Sequence, residues 1–175
     1  MTRDQPAIVR DRDRNAEGRP ENARPRDRFG RPLPRDAVDE LADRVEPETV
    51  VSSVAEALAY AARLFDAERF FEAHEFFEHA WKSDEVAEAD RDFWKGVTQV
   101  AVGCAHTQRG NDAGAITLLQ RAIRYLDGYP SPYHGVDRDG LVAAAEQVIA
   151  QIRERGASPD LDFPRFPLAG RSATT

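Results

Sequence analysis

The chain has 175 residues, 41% of them hydrophobic, which suffices for one ordinary domain with a real core plus flanking segments. Its formal net charge of −7 lies wholly in residues 47–175, because residues 1–46 hold equal numbers of arginines and acids, 11 of each. An acidic domain argues against a nucleic-acid backbone as partner, and the single cysteine, Cys104, excludes a disulfide framework or a paired-cysteine zinc site. No run of about 18 apolar residues and no apolar N-terminal leader occurs, so the expectation is a soluble, cytoplasmic protein with no membrane partner.

Residues 1–46 alternate Arg with Asp or Glu around five prolines and carry too few apolar residues to form a core. Two readings stand for this extension. It is disordered, or it is draped over the domain with Phe29 and Leu33 as anchors and its prolines keeping it extended. The domain itself is expected over residues 47–156. Ser53 and Glu56 have capping-box spacing ahead of Leu58, Ala61, Leu64 and Phe65, which predicts a first helix over about 49–66. A second follows over 68–82. The third, over 90–109, is long and apolar and stops at Gly110-Asn111. Ile116, Leu119, Ile123 and Leu126 mark a fourth over 112–126, ended by Gly128 and Pro130. An aromatic, turn-rich loop, residues 129–137, leads to a fifth helix over 138–155, closed by Gly156. Residues 157–175 read as a proline-containing strap and tail. The architecture expected is all-α: a compact, up-and-down antiparallel bundle of about five helices.

The stretch from Phe70 to Trp81 places ionisable groups on an apolar helix face. At about 100° per residue, His74, Glu78 and Trp81 share a side with Phe70, Phe71 and Phe77. Desolvating a His and a Glu there is expensive unless they are paired. On the third helix Gly96, Gln99, Gly103 and His106 cluster beside the apolar face, and two glycines cost about 1 kcal/mol each against alanine unless close packing offsets the loss. Trp81 or Phe77 lying over those glycines would bring Gln99 and His106 to His74 and Glu78. The expected site is therefore an interhelical cluster of His74, Glu78, Gln99 and His106, with Glu75 and His79 as a second pair nearer solvent. His134, in the loop, could fold toward its mouth.

Several chemistries fit such a cluster unequally. His74 and Glu78, at i and i+4, can reach one metal ion, and they are the metal candidates. Their spacing nevertheless matches neither the zincin nor the inverzincin pattern, and the Glu-x-x-His pair of di-iron bundles is missing. Acid-base catalysis would have a carboxylate raised by burial beside a tuning imidazole, but no nucleophile, oxyanion donor pair or phosphate cradle accompanies it. A satisfied His-Glu-Gln network that holds helix register is the simplest account. Phe76, opposite Phe70 and Phe77, implies burial on both sides of the second helix or a dimer.

Phe71-x-x-His74-Glu75-x-x-Glu78-x-x-Trp81, then Phe93-Trp94-Lys95-Gly96-x-x-Gln99, then Arg109-Gly110-Asn111-x-x-Gly114-Ala115, resembles the prokaryotic proteins grouped as domain of unknown function 309. The resemblance covers about residues 54–127, with Phe76 and Phe77 in place of an expected aliphatic pair. It implies a compact all-helical fold and brings no catalytic role. The resulting expectation is a non-catalytic binding or scaffold module that needs no cofactor and partners a second copy or another protein. Its candidate ligand-contacting residues are His74, Glu75, Glu78, Trp81, Gln99, His106 and His134. The rival is a metal-dependent or acid-base, hydrolase-like enzyme using His74 and Glu78.

Overall fold

Five helices follow one another in the computed structural model, which describes residues 24–170: α1 (Val54–Asp66), α2 (Phe70–Lys82), α3 (Arg91–Gln108), α4 (Asp112–Leu126) and α5 (Arg138–Arg155). Single 3₁₀ turns, Pro47–Thr49 and Glu88–Asp90, precede α1 and α3. Residues 1–23 of the expected extension and 171–175 of the expected tail lie outside the described residues. The helices pack in sequence order, α1 on α2, α2 on α3, α3 on α4 and α4 on α5, with α5 also touching α3. The all-α fold is as expected, and among the described residues only isolated bridges take the place of strands.

One boundary differs. The first helix starts at Val54, not near residue 49, because Ser53 is extended (φ −147°, ψ 160°) and its hydroxyl accepts the Glu56 N–H at 3.2 Å. The Glu56 carboxylate reaches back to the Ser52 N–H at 2.7 Å and hydroxyl at 2.8 Å, one residue earlier than a capping box requires.

The core surrounds α3, whose Phe93, Trp94, Val97, Val100, Ala101 and Cys104 are all buried. Its glycines serve α4 rather than α2. A Cβ on Gly103 would stand 2.6 Å from Leu119 Cγ, and one on Gly96 would stand 2.9 Å from Leu126 Cγ. Leucines seated this way contribute about 1.5–3 kcal/mol each, which offsets the helix propensity that glycine forfeits. The expected packing of Trp81 or Phe77 over these glycines is thus corrected.

Phe76 is fully buried and stacks on Tyr60 of α1 with centroids 4.3 Å apart. The second buried face of α2 is therefore covered within the chain. Beyond α5, Phe163 packs on Phe70 and Phe166 on Phe65 and Phe77, while Asp66 Oδ1 accepts the Phe166 N–H at 2.7 Å. At the other end, Gly30 (φ +76°) lies so close to the Phe71 ring that a Cβ there would come within 2.1 Å of it. Arg109 Nε donates to the Phe29 carbonyl at 2.8 Å, and Arg31 returns a bond to the Arg109 carbonyl at 2.8 Å. These bonds hold residues 26–31 against α2 and the end of α3.

Candidate functional site

The α2 motif does not assemble into the expected cluster. His74 is desolvated, its Nδ1–H donates to the Phe71 carbonyl one turn back, and its ring lies 4.9 Å from that of Phe71. Burial keeps its pKa below the usual imidazole value, so it sits neutral. Glu78 is partly exposed and pairs along its own helix with Lys82 at 2.6 Å. Gln99 Oε1 is buried and accepts no hydrogen bond from the described residues, so it joins neither. His106 turns to the next helix, where its Nδ1 accepts from the Asn111 amide at 2.9 Å. Asn111 is the α4 N-cap, accepting the Gly114 N–H at 3.0 Å. The predicted His74/Glu78/Gln99/His106 network is corrected: the glycines that were to draw α2 toward Gln99 face α4.

Among the described residues, no group of three or more His, Cys, Asp or Glu is arranged to hold a metal ion. Of the candidate pair, His74 bonds backbone through Nδ1, and Glu78 pairs with Lys82. Trp81, half-buried, carries the ammonium groups of Lys82 and Lys95 within 5.7 and 5.8 Å of its ring.

Glu75 and His79 line a hollow of about 370 Å³ with Glu46, Pro47, Glu48, Glu78, Lys82 and Ser83, and the expectation that this pair lies nearer solvent is corrected for Glu75, whose side chain is 16% exposed against 39% for Glu78. His79 Nδ1 is 3.6 Å from Glu48. Glu75 Oε2 stands 3.7 Å from Arg44 Nε, an ion-pair distance without hydrogen-bond geometry. Burial outweighs that arginine and pushes the Glu75 carboxyl up to about 7, with Glu46 and Glu72 adding in the same direction.

A second, more apolar cleft lies where α1 and α3 begin. About 430 Å³ in volume, it is lined by the apolar Val54, Ala55, Leu58, Val86 and Trp94 together with Glu85, Asp90, His134 and Gly135. His134 arrives there through a turn that escapes a search for hairpin dipeptides. Tyr133 and Val136 exchange both backbone hydrogen bonds at 2.9 Å around His134 (φ +46°) and Gly135 (φ +80°). Two positive φ values mark a type I′ turn, and His is one of the few side-chain-bearing residues enriched in that region.

The turn is bolted to the start of α3. Tyr133 Oη donates to Asp90 Oδ1 at 2.6 Å, Tyr129 Oη donates to the Ala89 carbonyl at 2.7 Å, and His134 Nε2 lies 3.0 Å from Asp90 Oδ2. Both tyrosine rings also pack edge-on against Phe93. Asp90 occupies the α3 N-cap position, yet its side chain caps no N–H of its own helix. It faces the loop instead. The Tyr133 hydroxyl, then the His134 ring, hold its carboxyl below the usual carboxylate range, so Asp90 is ionised. An ionised carboxylate can only accept, so His134 Nε2 carries the proton.

Of the expected site residues, only His134 lines this cleft. Asp90, Tyr133, Trp94 and Glu85 escape sequence reasoning. The legible signal was the His134-Gly135 pair behind a tyrosine, a turn whose left-handed geometry aims a ring at its anchor.

Residues 58–118 match the model of a family described as "Domain of unknown function (DUF309)". Over 89 residues the chain is 34% identical to "Uncharacterized protein YpuF" of Bacillus subtilis (strain 168), a match covering 50% of this chain and 51% of that protein. The chain thus matches about half the length of this relative. The resemblance read from the α2 and α3 motifs is confirmed by these matches. Among the described residues no helix is long and apolar enough to cross a membrane.

Proposed function

We propose that this chain, which carries a domain of unknown function 309 at residues 58–118, is a non-catalytic binding module whose ligand enters the cleft between the starts of α1 and α3. The carrying observation is the cleft itself: about 430 Å³ with a largely apolar lining into which the Asp90–His134 pair is set. Ligand sites have this composition, and His134 sits in a conformation that few residues tolerate unless their surroundings hold them. The α2 side chains contribute to folding, since their polar atoms face backbone or neighbouring ions. We take the helical bundle, residues 47–156, as the binding unit.

An acid-base enzyme is the second reading, because an Asp-His pair is the core of many proton-transfer sites. It has less support, for no Ser, Thr or Cys side chain lines the cleft among the described residues. The test is a ligand-observed NMR fragment screen of the full chain, repeated with Ala55→Trp. Ala55 is exposed on the cleft wall, so an indole there fills the space without entering the core. Hits that shift cleft methyls and vanish in Ala55→Trp support the reading. Hits that persist in Ala55→Trp, or that map to the hollow beside Glu75, overturn it.

A further inference from the structure

Resting on the ligand-binding reading above, we infer that the cleft recognises a protonated amine carried on an apolar body. Its lining offers acceptors and negative charge. Asp90 is ionised, and among the described residues no Lys or Arg lines the space. The Glu85 carboxylate is exposed on the lining and, among the described residues, accepts only a long 3.4 Å bond from the Val54 N–H, which leaves it acceptor capacity for a ligand.

Charge and shape agree. An ammonium group brings donors and no lone pair, so it can meet Glu85 without leaving an acceptor facing an acceptor, whereas a carboxylate would face two like charges. Trp94, almost wholly buried, adds to the apolar lining of the space. Val54, Leu58 and Val86 take the apolar body. The net charge of −7 adds a long-range pull on cations.

The experiment uses benzylamine, benzyl alcohol and benzoate, three probes of one shape and different charge, titrated into methyl-labelled full-length chain at pH 7. Benzylamine is expected to shift the Val54, Leu58 and Val86 methyls and to bind about tenfold more tightly than either analogue, the effect of one charge-assisted hydrogen bond. Glu85→Gln is expected to remove that advantage, bringing benzylamine to within about threefold of benzyl alcohol measured in the same variant, with its melting temperature as the check on folding. Benzoate or benzyl alcohol binding as tightly as benzylamine, or no change in Glu85→Gln, overturns the amine assignment while the cleft remains a ligand site. No shift with any of the three probes removes both.

Discussion

Two regions of this molecule hold a histidine beside carboxylates, and they use them in opposite ways. On α2 the groups are packed under residues 26–46: His74 bonds its own helix backbone, Glu75 is shut in beside Arg44, and Phe71 is covered by Gly30. At the start of α3 the groups stand at the rim of an open cleft, where Asp90 orients His134 and both remain next to empty volume. Dense motif chemistry marks the first region and hardly any marks the second. Motif density here follows what the fold must hold together, while the accessible chemistry comes from one N-cap position whose side chain faces a loop and from one turn.

The contrast can be broken most forcefully at Phe71. Phe71→Ala removes a buried ring flanked by Gly30, Arg26 and Arg109, and should lower unfolding stability by about 3–5 kcal/mol in urea titrations. A loss below about 1 kcal/mol would mean that the α2 face does not carry the fold as described. Gly30→Ala places a Cβ against that ring at a left-handed φ, and should cost about 1–3 kcal/mol. Hydrogen exchange should then rise in residues 26–46 and stay unchanged around His134; an equal rise at both sites would erase the distinction between the regions.

Smaller effects separate the regions by the sign of their pH dependence. Glu75 has a folded pKa raised from 4.5 to about 7, so the native state holds more protons than the unfolded chain between those values, and stability falls as pH rises through that window. Glu75→Gln should flatten that slope, gaining on the parent at pH 8 and not at pH 4. A parent curve without a decline between pH 5 and 8 would contradict the burial described for Glu75. Asp90 works the other way: its pKa is depressed, so its contribution is complete above the ordinary carboxylate range and is lost as pH falls through the folded value. Tyr133→Phe deletes the hydroxyl that does most to hold that carboxyl down, and carboxyl NMR should find Asp90 titrating at a higher pH. An unchanged titration would show that the hydroxyl does not hold Asp90.

Much of the fold was readable in the chain. The apolar periods of α3, α4 and α5 and the stops at Gly110 and Gly156 place those elements well, because helix ends depend on local chemistry. The start of α1 follows the same rule: Ser53 caps it locally, so the helix begins at Val54 and not near residue 49. The candidate site was read less well. His74, Glu78 and Gln99 share the right periodicity, but periodicity states which side a residue occupies and not which neighbour covers it. Two glycines facing α4 instead of α2 were enough to take Gln99 out of the expected network.

The sequence by itself determined the all-helical class, the five elements, the acidic balance and the family resemblance, because each depends on composition or on spacing within about one or two helical turns. Only the tertiary structure decided which polar groups meet. Asp90 and His134 lie 44 residues apart, and a left-handed turn and a vacant capping position join them, neither of which has a period to read. Contacts across that separation follow from how helices pack, so the cleft becomes visible only once α1, α3 and the loop before α5 share one surface.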